Sequence, residues 1–495
     1  MIETVRLILG DQLNEHHSWF AQTDETVCYV MMEILQETNY EPQHQQKTLA
    51  TFASMRNFAR KMRRQGHNFF YLTLTAPENR QSLPENIAWL IYQNKAKNFE
   101  YLQPDDKRNA RQLKDFAYIL GVNIQQHQSH HFLLEEGDLS QSIETTTEDI
   151  YSYMAVKYRK LIGNIEKNTA ENVRLKLPKV ETPAIKNDLR PILKDIEQFD
   201  IPAFGHVNAK SCRWVCSSAQ AWQYVNYYFH HLLPQKKSAE GADAIPSQLA
   251  WALNMKMIEP LELLEALSDF TEKYPFAITQ QAVNALLKAL LGDREYKRFR
   301  FNRQLATEEA INPLGHHKPL PSFFKEGNST SMRCIQQTIE EVENKGKTSA
   351  KRLLMVLKNY ALLAKVEPDL FEQWVQHKLV NATAWSEQGE LLDFIYQPQQ
   401  RIFKGQEIAS NIHDCSKCTF DPTINHGEKA CPFNGLYWRF IHKNKPLLSR
   451  KIYGKALEGW ETMDLTEKHH TLEFARNLLQ QYHVATDEKS SLRSF

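Results

Sequence analysis

Between residue 1 and about residue 135, short apolar runs alternate with stretches of helical period: VRLIL at 5–9, VCYVMM at 27–32, FFYLTL at 69–74 and a weaker NIQQH at 123–127. This rhythm constrains the fold most, because a repeated strand-helix-strand succession closes as a parallel sheet with crossover helices. A helix opening near Lys47 places Phe52, Met55, Ala59 and Met62 on one face and stops at Gly66. Its basic residues Arg56, Arg60, Arg63 and Arg64 fall largely elsewhere and read as a solvated face.

From about 136 to 205 the texture turns polar and Thr- and Lys-rich, with prolines at 178, 183, 191 and 202, and reads as a long interdomain connection. Beyond it the pattern is helical. The segments 278–296, 352–366 and 369–379 have helical length and period, and the second is apolar almost all round, as a buried helix of a large domain is. The chain therefore divides into an α/β domain over 1–135, a linker over 136–205 and a helical domain over 206–495. A length of 495 residues supports that number of cores.

With 60 Lys plus Arg against 59 Asp plus Glu, bulk charge gives no case for a nucleic-acid or membrane partner; a local patch would have to supply it. No segment approaches the roughly 18 continuous apolar residues of a membrane span. The N-terminal apolar stretch meets Gly10-Asp11 at once and reads as a buried strand rather than a signal peptide. Seven cysteines, an odd number, argue for a reducing compartment, and the expected location is cytoplasmic.

Three of those cysteines crowd into CSKCTFDPTINHGEKACPF: Cys415 and Cys418 are spaced for one metal centre, and Cys431 stands immediately before Pro432. Thiolates select zinc or an iron-sulfur cluster. Cys334, far upstream, would complete a four-cysteine cluster site, whereas His413 or His426 would complete a Cys3His zinc knuckle, and spacing does not choose between them. Cys28 reads as a small buried hydrophobe inside a strand, and Cys212 with Cys216 as packing residues one helical turn apart. The His-His pairs at 16–17, 130–131, 230–231, 316–317 and 469–470 read as solvated loops.

Several stretches resemble the iron-sulfur bacterial cryptochromes and photolyases, the prokaryotic (6-4) photolyase-like branch of that superfamily. They are LILGDQL at 7–13, YEPQHQQKTLATFASMRNFARKMRRQG at 40–66, the turn Met332-Arg333-Cys334, and CSKC with ACPFNGLYWRF over 415–440. The resemblance implies an N-terminal Rossmann-like α/β domain, a long linker and a large all-α photolyase-type domain with a C-terminal iron-sulfur segment over 412–440. It implies a [4Fe-4S] cluster on Cys334, Cys415, Cys418 and Cys431, FAD in the helical domain, and an antenna, 6,7-dimethyl-8-ribityllumazine, in the α/β domain. For the antenna the matching residues are Gly10 and Asp11 after the first strand and Glu33 after the second; a plain turn and a surface charge are the alternatives. For the flavin they are Trp385 and Asp393.

The helical domain departs from the family pattern. Where repair members resemble EGFIRQILGWREY beside the flavin, residues 284–296 read NALLKALLGDREY, which removes several polar groups. The family's paired histidines align with Ser349 and Ala350, neither of which acts as an imidazole acid. Arg294, Lys297, Arg298, Arg300 and Arg303, interleaved with Tyr296, Phe299 and Phe301, form a segment suited to phosphates and bases or, alternatively, a salt-bridged helix end. The resulting expectation is a diverged relative that binds nucleic acid, with DNA met through this local basic patch, or signals light, with repair reduced or lost. An active FAD-dependent (6-4) DNA photolyase is the alternative, and a zinc-stabilised helical binding protein the third.

Overall fold

The computed structural model describes residues 1–35, 42–117, 119–129, 131–135, 137–139, 145–173, 175–236, 244–307, 312, 314–325, 329–387 and 401–483. They fall into two units, Met1–Ala306 with His377–Ser386, and Thr307–Gln376 with Glu387–Phe495.

In the first unit the four apolar runs become strands of one parallel sheet, joined by a fifth that the runs did not signal. The strands are β1 (Thr4–Leu7), β2 (Val27–Met32), β4 (Phe69–Leu72), β5 (Asn98–Leu102) and β6 (Asn123–His127), in the order β4-β2-β1-β5-β6. A separate short parallel pair joins β3 (Gln43–His44) to β7 (Ala203–Phe204). Val5 of β1 stands opposite Cys28 of β2 and Phe99 of β5. Side chains alternate along each strand, so Tyr29 and Met31 go to one face and Val30 and Met32 to the other.

The first face packs on Leu49, Phe52 and Met62 of helix α1 (Gln45–Arg64), the second on Leu83, Ile87 and Leu90 of α2 (Leu83–Asn94). Covering both faces is what allows a sheet to be parallel throughout. At its amino end α1 is capped by the His44 side chain, which accepts from the Gln46 amide, and just past its end Gly66 adopts φ +93°. Strand order reverses beside β1, so the carboxyl ends of β1 and β5 frame the crevice where such sheets bind ligands.

The polar segment 136–205 holds three helices, Thr147–Lys157, Arg159–Glu166 and Arg190–Gln198. Sparse pairs, Ile150 with Met154, Ile162 with Ile165 and Ile192 with Ile196, anchor them to the core beneath α1. Two apolar residues per helix are too few to stand out from a polar background. The first opens with a reciprocal cap between Thr146 and Asp149. Past Phe204 the described residues contain no further strand, only isolated bridges. Helix Gln280–Leu287 runs through a wide turn, Lys288–Asp293, into helix Arg294–Thr307.

In the second unit the apolar run becomes helical over Ala350–Leu363, with Met355 to Ala364 buried. Around it lie helices Arg333–Lys345, Pro368–Lys378, Pro432–Asn444, Arg450–Thr462 and Leu465–His483. Gly435 lets two of these cross closely, since a Cβ there would lie 2.7 Å from the Phe474 ring. No described helix is long and apolar enough to cross a membrane.

Candidate functional site

The cysteines come from three separate pieces of the second unit. Cys334 lies in the first turn of helix Arg333–Lys345, Cys415 in the short turn His413–Lys417 with Cys418 at its end, and Cys431 at the start of helix Pro432–Asn444. The chain is folded to bring them together. The Cys418 amide donates to the Cys415 carbonyl at 3.1 Å, and the Cys431 amide to the Asp421 carbonyl at 3.0 Å. Asn434 fastens the intervening loop, its Nδ2 donating to the carbonyls of Pro422 and Ile424 at 2.8 Å each while its Oδ1 accepts from the Gly405 amide at 2.7 Å. Arg352 bridges the other side: it pairs with Asp414 at 2.5 Å and donates at 3.3 Å to Thr338, whose hydroxyl donates to the Cys334 carbonyl at 2.7 Å.

The thiols feel one another. A hydrogen bond between Cys334 and Cys415, together with burial, holds the Cys334 thiol well above its ordinary range, and the same bond lowers that of Cys415 against its own burial. Cys418 and Cys431 act electrostatically on Cys334 as well. Burial pushes the Cys431 thiol up to about 12. Gly405 is part of this cradle, because a Cβ there would lie 2.7 Å from Cys431 Sγ.

Among the described residues no three His, Cys, Asp or Glu side chains are grouped to hold a single metal ion. Four cysteines are a donor set that suits a structural zinc ion or an iron-sulfur cluster. His426, one alternative fourth ligand, is instead paired through Nε2 with Glu467 at 2.9 Å, and His413 is exposed.

At the strand ends the polar groups are satisfied from within. Glu33 is fully buried and accepts from Arg56 Nε and Nη2 at 2.6 and 2.7 Å, from the Tyr71 hydroxyl at 2.6 Å and from the Leu74 amide at 2.9 Å. Asp11 accepts from Lys256 Nζ at 3.1 Å, and a Cβ on Gly10 would lie 3.1 Å from the Met55 sulfur. The Glu33 and Asp11 carboxylates thus have intramolecular partners.

The switch-point crevice holds a charge cluster that the sequence reading missed. Asp105, just past β5, pairs with Lys256 at 2.7 Å and Arg298 at 2.8 Å; Lys256 is 2% exposed and Asp105 5%. Burial alone would raise the Asp105 carboxyl, but Arg298 and Lys256 outweigh it and hold the group below the usual carboxylate range. Lys256 adopts φ +57°, a left-handed conformation usual for glycine after a helix end. A lysine in a position that favours glycine was the available signal.

The flavin-matching segment is hydrocarbon core. Leu286, Leu287, Leu290 and Leu291 are fully buried and pack into the first unit's main cluster. Trp385 is buried edge-on against Phe132, and the Arg294 guanidinium lies 4.7 Å from each of those ring centroids. Ser349 caps a helix by accepting from the Arg352 amide. Asp393 lies outside the described residues. Among the described residues of 284–291, those buried in the core are apolar, and the polar ones lie at the helix surface.

Residues 6–163 match the family described as deoxyribodipyrimidine photo-lyase-related protein. A (6-4) photolyase of Agrobacterium fabrum is 22% identical over 94% of this chain and 96% of its own length. The chain is thus similar to a photolyase over nearly its whole length. Its fold is shared by a bacterial class III photolyase from Agrobacterium tumefaciens, at TM-score 0.54 and 14% identity over 97% of this chain and 98% of that one. A Synechocystis cryptochrome shares it too, at TM-score 0.54 and 13% identity over 96% and 98%.

The basic segment divides. Arg294 and Arg298 are buried, 6% and 5% exposed, with Arg294 Nη2 at 2.8 Å from His131 Nε2 and Arg298 on Asp105. Burial pulls the Arg294 guanidinium down to about 10, still charged at neutral pH. Lys297, Arg300 and Arg303 are half-buried. The histidine pairs also differ from the solvated reading: His17, His131 and His316 are buried. Pairing along the sequence says nothing about depth, because neighbouring side chains in a loop point in different directions.

Proposed function

We propose that this photolyase-related chain is a diverged iron-sulfur member that binds nucleic acid or signals light, with flavin-dependent repair reduced or lost. The observation that carries this reading is that Leu286, Leu287, Leu290 and Leu291 of the flavin-matching wall are packed hydrocarbon. Cys334, Cys415, Cys418 and Cys431 would hold a [4Fe-4S] cluster, which when bound supplies a cross-link between distant segments and one-electron redox capacity. The chain's own part is to orient those thiols. Asn434 and Gly405 set Cys431, and Arg352 ties the Cys415 turn to the Cys334 helix. No imidazole stands at Ser349 or Ala350 to pass a proton to a lesion.

An active FAD-dependent (6-4) photolyase is the second reading, favoured by the similarity that spans nearly all of a relative of that description. Anaerobic purification, a visible spectrum and analysis of the released components separate the two, together with light-driven repair of an oligonucleotide carrying a (6-4) lesion. Iron and sulfide without flavin and without repair are expected. Stoichiometric flavin with repair would overturn the proposal in favour of the second reading, and zinc alone would defeat both.

A further inference from the structure

The basic run on α1, read from sequence as a solvated face, lines a cleft of about 370 Å³ with Arg56, Ala59, Arg60, Arg63, Arg64 and Tyr71. The spacing explains it: positions 56, 59, 60, 63 and 64 share one side of a helix over two turns. The floor is a closed ion-pair network. Arg56 binds Glu33 through two nitrogens and reaches Asp195 at 2.8 Å, and the Tyr71 hydroxyl donates to Glu33. The rim is different. Arg60, Arg63 and Arg64 are exposed and have no carboxylate partner among the described residues. Arg63 is held in place, its Nε donating to the Phe69 carbonyl at 2.7 Å, and Arg60 reaches only the Asn57 side-chain oxygen at 3.4 Å.

Four guanidiniums against two carboxylates leave the cleft net positive. Like charges gathered on one concave surface repel each other unless an anion lies among them, and arginine forks match phosphate oxygens in pairs. The volume falls in the range of small-ligand sites, and the site is a cleft rather than the extended track that a nucleic-acid backbone follows. We propose that this cleft binds a compact polyphosphate, such as the tail of a nucleoside triphosphate, with Arg60, Arg63 and Arg64 as its ligands and Arg56 as their fixed base.

The cleft shares no residue with the cysteine site or with residues 284–291, so failure of either reading leaves the other standing. Sodium tripolyphosphate, ATP and a short single-stranded oligonucleotide are titrated into the purified full chain by calorimetry, with thermal melting in parallel. Arg60→Ala/Arg64→Ala is the test variant, because both side chains are exposed and outside the buried network. Tripolyphosphate and ATP are expected to bind and to raise the melting temperature, and the double variant to bind at least about tenfold more weakly. Undiminished binding by the double variant, or none by the wild type, would overturn the assignment. So would oligonucleotide binding that tripolyphosphate fails to displace.

Discussion

Replacing Lys256 by Met tests whether the switch-point crevice is held shut by charge. Lys256 Nζ sits 2.7 Å from Asp105 and 3.1 Å from Asp11. At an effective dielectric of about 20, a unit-charge contact near 2.7 Å has a gross attraction on the order of 6 kcal/mol. Much of that only offsets desolvation, so the measurable cost of removing one partner should be about 3–5 kcal/mol at neutral pH. Methionine keeps the aliphatic volume and the left-handed backbone, and neither confounds the result.

The pH dependence gives a second handle on the same network. In the wild type Asp105 is held below its ordinary pKa, so its contribution is present above the unfolded value and fades as pH falls. In Lys256→Met burial opposed by Arg298 alone should leave that carboxyl higher, and the gap between variant and wild type should narrow in acid. Urea unfolding at two pH values measures both effects, and adding Asp105→Asn should recover much of the loss. A cost below about 1 kcal/mol at neutral pH, with no dependence on Asp105, would refute the reasoning.

Other perturbations reach different parts of the molecule. Gly405→Ala drives a methyl group into Cys431 Sγ and should lower iron content and stability by about 1–3 kcal/mol, read by iron analysis and melting; unchanged values would remove Gly405 from the cradle. If the proposed cluster is held, Cys418→Ser should lose it and the closure of about eighty residues between Cys334 and Cys415, a loss on the order of 4 kcal/mol, and an unshifted unfolding midpoint would rule out a structural role. Burial, helped by Lys365 and Arg439, pushes the His316 imidazole down to about 4. Its neutral form therefore supports the fold above the ordinary value near 6.5, and up to about 3 kcal/mol is lost as pH falls toward 4. His316→Gln should flatten that acid slope, and an identical slope in denaturant titrations would count against it.

The α/β rhythm was legible because strand and helix periods are local properties: VCYVMM is β2 over the same residues, and Phe52, Met55, Ala59 and Met62 form the buried face of α1. Cys415 and Cys418, three residues apart, stay close in any fold, whereas Cys431 and Cys334 reach them only through the packing of separate helices. By itself the sequence determined the layered class and a set of donor atoms. Tertiary structure alone decided which charges meet. Lys256 finds Asp105 and Asp11 from far along the chain, Arg56 finds Glu33, and Arg294 and Arg298 turn inward where a basic surface was expected. An ion pair has no period to read; it depends on which segments the packed core brings within a few ångströms, and that information exists only once the chain has folded.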